Sequence, residues 1–150
     1  MLVKLLPDQA SRYWGDIKGA VEALLPPVVG MQPDRMSNIL TSILTGGITV
    51  WISVERDEGN VITGIVLTKF LFDDASGTKS LLLYCVYGYG VGKMESWKSG
   101  LDTLKTFAKG EGCHRIIGYT DVPSIIKCAE MLGMEARYRF LSYDLNAPLN

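Results

Sequence analysis

The stretch from Ser80 to Tyr87 constrains the fold more than any other part of the sequence, because almost all of its residues are apolar. A strand in which apolar and polar residues alternate is buried on one face, whereas a continuously apolar strand is buried on both faces. Directly after it come Gly88, Gly90 and Gly92, and the spacing of apolar residues then changes to that of a helix. The sequence therefore predicts a strand buried within a sheet, followed by a glycine-rich turn into a helix.

The whole chain predicts an α/β (α+β) fold with a mixed central sheet and the order β-α-α-β-β-β-α-β-α-β, in one domain over residues 1–150. Three central strands follow one another across short turns, which predicts an antiparallel meander. Gly64, within the second of them, predicts a bulge or a close backbone approach. The predicted elements are strand 2–6, helices 14–24 and 34–44, strands 48–56, 61–72 and 80–87, helix 94–108, strand 115–119, helix 123–132 and strand 137–145.

Composition excludes several classes of function. The formal net charge is −1, so no basic field covers the protein and a nucleic-acid partner is not indicated. The single histidine, His114, excludes sites built on several histidines, and three cysteines without CxxC spacing argue against a zinc site or a disulfide scaffold. We therefore expect no metal. No apolar run reaches the roughly 18–20 residues of a membrane helix, and free thiols suit a reducing compartment, so we expect a cytoplasmic protein.

Two short patterns near the end of the sequence carry a resemblance. Residues 107–113, FAKGEGC, end the long helix, and residues 132–134, LGM, end the last helix. With the element order, they resemble the GNAT fold, the fold of a large family of N-acetyltransferases whose last helix often closes on Leu-Gly-Phe. The resemblance covers residues 2–145 by topology and 80–141 by local pattern.

The resemblance implies a cofactor site. In this family acetyl-CoA lies in a V-shaped opening between two central parallel strands, with its pyrophosphate where the strand turns into the central helix. A helix N-terminus offers unpaired N–H groups and a positive dipole end, and glycines allow close approach. The residues that would form this cradle are Val86, Gly88, Gly90, Val91, Gly92 and Lys93. A glycine-rich turn without a ligand remains the alternative.

The family's phosphate-binding pattern, Q/R-x-x-G-x-G/A, is degraded here in either of two alignments. If Gly90 and Gly92 are its last two small residues, Tyr87 replaces the Gln or Arg. If the length of the helix is respected instead, the three positions fall on Val91, Met94 and Ser96. The segment has no arginine, and Lys93 is its first positive charge.

The catalytic pattern of the family is also incomplete. Many relatives carry a tyrosine, the acid for the departing thiolate, four residues before the glycine of Leu-Gly-Phe, and Ala129 stands there. The remaining candidates for proton transfer are Tyr84, Tyr87 and Glu55. A strand tyrosine is more often a packed residue with a satisfied hydroxyl, and Glu55 reaches the opening only if the strand register turns it inward.

Two functions follow from the resemblance. The first is acyl transfer from acetyl-CoA to an amine. The second is a catalytically inactive binding or assembly protein, because residues 87–145 also resemble acetyltransferase-like proteins of tailed phages. That resemblance implies a virion component with a protein partner or a homo-oligomer. Ala129 and the lost Gln or Arg favour the second function, whereas the retained glycines favour a bound ligand.

Overall fold

The computed structural model describes residues 1–55, 59, 61–88 and 94–146. The chain divides into two compact units, Met1–Thr120 and Asp121–Asn150. The described strands are β1 (Leu2–Lys4), β2 (Thr49–Glu55), β3 (Val61–Phe72), β4 (Lys79–Gly88) and β5 (Arg115–Gly118). The described helices are α1 (Pro7–Arg12), α2 (Trp14–Ala23), α3 (Arg35–Leu44), α4 (Met94–Gly110) and α5 (Pro123–Met131).

The strands of the first unit form one five-stranded sheet in the order β1-β2-β3-β4-β5. Neighbours pair antiparallel from β1 to β4, which confirms the predicted meander, and β4 pairs with β5 in parallel. A parallel neighbour requires a crossover connection, and α4 provides it. The mixed sheet and the α+β class are as the sequence predicted.

Each face of the sheet covers its own core. On one face, here called the α1–α3 face, strand residues such as Val50 and Leu67 pack with Ile17 and Ile43 of the helices. On the other, the α4 face, Trp51 packs with Leu104 and other residues of α4. The adjacent residues 50 and 51 belong to opposite cores because successive strand side chains alternate. Strand β4 contributes to both cores, as its continuous apolar character predicted.

Two sequence predictions differ from the structure. The predicted helix 14–24 is confirmed as α2, but a short helix that was not predicted, α1, precedes it and ends at Tyr13. The predicted last strand over residues 137–145 is wrong, because residues 134–144 adopt no strand. Large and polar residues alternate in this segment, which predicted that one face would be buried. Large side chains at both even and odd positions are nevertheless exposed, Tyr138 by 70% and Leu141 by 88%. An alternating pattern specifies a strand only where one of its faces is buried.

Gly64 meets both expectations for a glycine within a strand. Ser53 pairs with Gly64 and Val54 pairs with Ile62, which leaves Thr63 as an extra, bulged residue of β3. A Cβ on Gly64 would lie 2.9 Å from the carbonyl oxygen of Tyr87 in β4. The contact is with backbone, which cannot rotate away as a side chain can. Only a residue without a side chain fits between β2 and the end of β4.

We expect Gly64→Ala to destabilise the protein by about 1–3 kcal/mol, because overpacking forces the backbone to shift. Gly100→Ala is the matched control, since a Cβ at this position of α4 meets no heavy atom within 4 Å. The free energy of unfolding of that variant should stay unchanged or rise by up to about 1 kcal/mol. Urea denaturation measures both, and equal stabilities of the two variants would contradict the close approach.

Candidate functional site

The site begins where the parallel ladder between β4 and β5 ends. The ladder runs from Ser80 paired with Arg115 to Leu83 paired with Gly118. Strand β4 continues to Gly88, beyond the last residue that pairs with β5. Residues 84–88 therefore have backbone groups on this side that the parallel ladder does not use. This is the end of the sheet at which the sequence predicted an opening.

A β-bulge coincides with the end of the ladder. On the other side of β4, Leu67 pairs with Cys85 and Thr68 pairs with Leu83, so Tyr84 is the extra residue. Bulges bend a strand and increase its local twist. Thr68 is held firmly beside the bulge, because it is buried and its Oγ1 accepts a hydrogen bond from Trp51 Nε1 at 3.0 Å. The bulge thus changes the course of β4 directly after its last contact with β5.

The bulge also changes which core each side chain of β4 joins. Before it, Leu81 and Leu83 pack on the α4 face. After it, Cys85 and Tyr87 pack on the α1–α3 face, and so does the bulged Tyr84. The two tyrosine candidates therefore lie on one face of the sheet. Sequence reasoning missed this, because the apolar run shows no interruption at the bulge.

Tyr84 is half-buried beside a cation. Lys69 Nζ lies 5.7 Å from the centroid of its ring. Burial raises the pKa of the Tyr84 hydroxyl, and the neighbouring Cys85 thiol adds to the rise. The hydroxyl therefore stays protonated well above neutral pH. The hydroxyl can therefore act as an acid that donates a proton to a ligand, and not as a base that takes a proton from one.

Cys85 is a core residue. Its Sγ donates a weak hydrogen bond to the carbonyl oxygen of Val21 in α2 at 3.8 Å. Burial raises the pKa of the thiol to about 11. Since the thiolate is the nucleophile, Cys85 is unreactive at neutral pH. It ties β4 to α2 beside Tyr84.

Glu55 lies apart from the tyrosines. It is the last residue of β2, and its Oε1 accepts a hydrogen bond from Ser96 Oγ at 2.9 Å. Ser96 belongs to the first turn of α4, so the carboxylate reaches the helix on the opposite face of the sheet from Tyr84 and Tyr87. The structure does not bring the three candidates together. The contact joins residues 41 positions apart, and no local pattern predicts it.

The candidate cradle is described only at its two ends. Val86 is half-buried and Gly88 is exposed at the end of β4, and α4 begins at Met94. The other four candidates, Gly90, Val91, Gly92 and Lys93, lie outside the described residues. Among the described residues, no group of three or more His, Cys, Asp or Glu is placed to hold a metal ion. No helix in the described ranges is both long and apolar enough to cross a membrane.

No protein-family model matches the sequence, and no curated protein matches it. Solved structures match over almost the whole chain. A ribosomal-protein-alanine N-acetyltransferase from Brucella melitensis biovar Abortus 2308 superposes with a TM-score of 0.65 at 16% identity, covering 97% of this chain and 99% of that chain. A predicted acetyltransferase from Clostridium acetobutylicum, with acetyl-CoA, gives 0.68 at 15% identity, covering 97% and 96%. An aminoglycoside N-acetyltransferase in complex with CoA gives 0.66 at 12% identity, covering 98% and 100%.

These matches show that the chain has the GNAT fold, as its sequence predicted. At such low identity they establish the fold alone. The resemblance to phage proteins stays a prediction.

The thiols should react in a fixed order. Cys113 and Cys128 are partly exposed, whereas Cys85 is buried. At pH 8 we expect a disulfide reagent such as dithionitrobenzoate to modify Cys113 and Cys128 in the native protein and Cys85 only after unfolding. Because its pKa is raised to about 11, raising the pH from 7 to 9 should not make Cys85 reactive. Mass spectrometry of the labelled peptides measures the order, and early labelling of Cys85 would contradict its place in the core.

Proposed function

We propose that this protein transfers an acetyl group from acetyl-CoA to an amine, in the cytoplasm, as a single domain over residues 1–150. The observation that carries the proposal is the coincidence at Tyr84 of a bulge and the end of the β4–β5 ladder. Together they end the pairing of β4 with β5 at Leu83, and β4 continues beyond it to Gly88. The solved structures with acetyl-CoA and CoA support the same donor. Three cysteines without CxxC spacing fit a reducing compartment.

Backbone groups beyond the bulge would orient the thioester. A thioester carbonyl gains negative charge when an amine attacks it, and a fixed N–H group stabilises that charge. We assign this role to the N–H groups around Val86, which lie beyond the last residue of β4 that pairs with β5. Positioning the amine against the carbonyl would supply the remaining acceleration.

Tyr84 is the proposed proton donor. As the amine nitrogen bonds to the carbonyl carbon and the carbon–sulfur bond breaks, the departing thiolate takes up a proton, which Ala129 cannot give, and the nitrogen loses one to water. The Tyr84 hydroxyl is kept protonated by burial and belongs to the bulge itself. Tyr87 packs on the same face and is the second candidate.

The glycine-rich turn is the proposed pyrophosphate cradle. Val86, Gly88, Gly90, Val91, Gly92 and Lys93 join the end of β4 to the start of α4. Unpaired N–H groups at the start of a helix hold phosphate oxygens, and glycines let the phosphates approach the backbone. The 17-residue α4 contributes its dipole to this end.

A second candidate function is a non-catalytic binding or assembly protein. The observation that favours it is the exposure of large apolar side chains after α5: Tyr143 is 81% exposed and Leu145 is 88% exposed. Contiguous exposed apolar side chains mark interaction surfaces. The surface would be buried against a protein partner or a second copy of this chain.

Gly90→Val should abolish acetyl-CoA binding without unfolding the protein, because the side chain would hold the phosphates away from the backbone. Calorimetry with acetyl-CoA and free CoA measures the affinity, and we expect a micromolar dissociation constant for the unaltered protein, about −8 kcal/mol. Gly30→Val is the control, since a Cβ at this exposed loop position meets no heavy atom within 4 Å. An unchanged affinity of Gly90→Val for acetyl-CoA would contradict the proposed pyrophosphate cradle. No binding at millimolar ligand, with self-association in solution, would favour the second function.

Tyr84→Phe should lower kcat for acetyl transfer about 100-fold or more and leave the Kd of acetyl-CoA unchanged, because general acids contribute about 10²–10⁴ to the rate. Release of the CoA thiol with a panel of primary amines measures it. Since the pKa of Tyr84 is raised above 10, ionisation of this group should lower the rate only above pH 10. Tyr87→Phe is the control, expected to keep most of the rate. The reverse result would assign the acid to Tyr87.

A further inference from the structure

Lys69 interrupts a row of apolar residues on the α1–α3 face of the sheet. Along β3 this row runs through Ile65 and Leu67, which are buried, and Lys69 stands at the next position of the same alternation. Its partner in β4, Leu82, is buried, and Lys69 itself is half-buried. The pattern predicts an apolar residue here, since lysines are rarely placed among apolar side chains unless a partner of opposite charge is close.

The partner that the structure gives Lys69 is the ring of Tyr84. Lys69 Nζ lies 5.7 Å from the ring centroid, which is within the range of a cation–π contact. No carboxylate in the described part of the chain forms an ion pair with Lys69. The ion pairs there are Arg35–Glu22, Lys105–Asp102 and Arg137–Glu135. The ammonium group therefore lies beside the proposed proton donor without a counter-charge from these residues.

The other charged groups of this face do not neutralise Lys69. Its three helices and the residue before α3 carry acidic and basic side chains in similar number: Asp8, Asp16, Glu22 and Asp34, and Arg12, Lys18 and Arg35. Of these, Glu22 and Arg35 compensate one another at 3.1 Å. Arg115 of β5 pairs with Ser80, two residues before Leu82, so alternation places it on the same face as Lys69. The described strands thus present two cations and no carboxylate on this face, because Glu55 reaches α4.

We propose that Lys69 makes the site specific for acceptors that carry a carboxylate close to the amine, which is the arrangement of a free amino acid. This inference rests on the proposed acyl transfer with Tyr84 as the proton donor. A general acid works at a hydrogen-bond distance of about 2.6–3.2 Å, so the reacting sulfur must lie at the Tyr84 hydroxyl. The sulfur and the amine are both bonded to the carbonyl carbon during the reaction, which holds the acceptor next to Tyr84. A carboxylate of the acceptor can then accept a charge-assisted hydrogen bond from Lys69 Nζ, which lies against the same ring.

Three variants separate the charge of Lys69 from its packing. Lys69→Met keeps an apolar stem over the Tyr84 ring and removes the charge. Lys69→Arg keeps a positive charge. Lys79→Met is the matched control, because Lys79 is also half-buried and its Nζ lies 4.7 Å from the ring centroid of Phe70, which belongs to the core of the α4 face.

The experiment compares the acetylation of glycine, leucine and phenylalanine with that of their amides, measured by release of the CoA thiol from acetyl-CoA. The ratio of kcat/KM for the amino acid to kcat/KM for its amide is compared between proteins, so the different basicities of the two amines cancel. We expect Lys69→Met to lower this ratio about 10-fold to 100-fold, mainly through the KM of the amino acid, which is the size of one hydrogen bond to a charged group. Lys69→Arg should keep most of the ratio. Lys79→Met should leave it unchanged to within about twofold.

The outcomes separate this inference from the proposed function. If Lys69→Met lowers kcat/KM equally for amino acids and amides, Lys69 acts on Tyr84 or on the packing, and the inference is wrong while acyl transfer stands. If the unaltered protein acetylates amides or other primary amines but no amino acid, the inference is again wrong and acyl transfer again stands. If no primary amine is acetylated, the proposed function fails and the inference fails with it.

Discussion

The register of β4 is the constraint on which the candidate site depends. This strand pairs antiparallel with β3 along its length and parallel with β5 only up to Leu83. The bulge at Tyr84 lies where the part of β4 that pairs with both neighbours meets the part that pairs with β3 alone. Because Thr68 is buried opposite and is bonded to Trp51, the bulge has a rigid neighbour. The site therefore inherits its geometry from the sheet of the first unit.

The two faces of the sheet divide the candidate chemistry. The α1–α3 face holds the tyrosines, where burial keeps the Tyr84 hydroxyl protonated. The α4 face holds the Glu55 carboxylate, which is bonded to the first turn of the helix. The candidate proton donor and the Glu55 carboxylate thus lie on opposite faces of the sheet. Because the two side chains do not touch, a substitution of one does not alter the other through a direct contact.

The sequence predicted what local periodicity determines. The order of strands and helices from α2 to α5, the meander and the special position of Gly64 all follow from spacing and turn residues, and the structure confirms them, whereas the short helix α1 was missed. The bulge at Tyr84 was missed because residues on both sides of it are apolar, so a one-residue shift leaves no mark on the pattern. The Glu55–Ser96 bond was missed because it joins distant segments. The strand predicted at 137–145 failed because alternation describes side chains, whereas a strand also needs a buried face.

The bulge has a consequence for how such a chain can diverge. Loss of one codon at Tyr84 would make Leu83 and Cys85 neighbours, restore regular pairing with Thr68 and Leu67, and leave every later side chain of β4 in its present core. Substitutions elsewhere in the strand preserve its direction and leave the opening intact. A shortening of β4 at Tyr84 would therefore remove the bend at the end of the parallel ladder without exchanging the residues of the two cores.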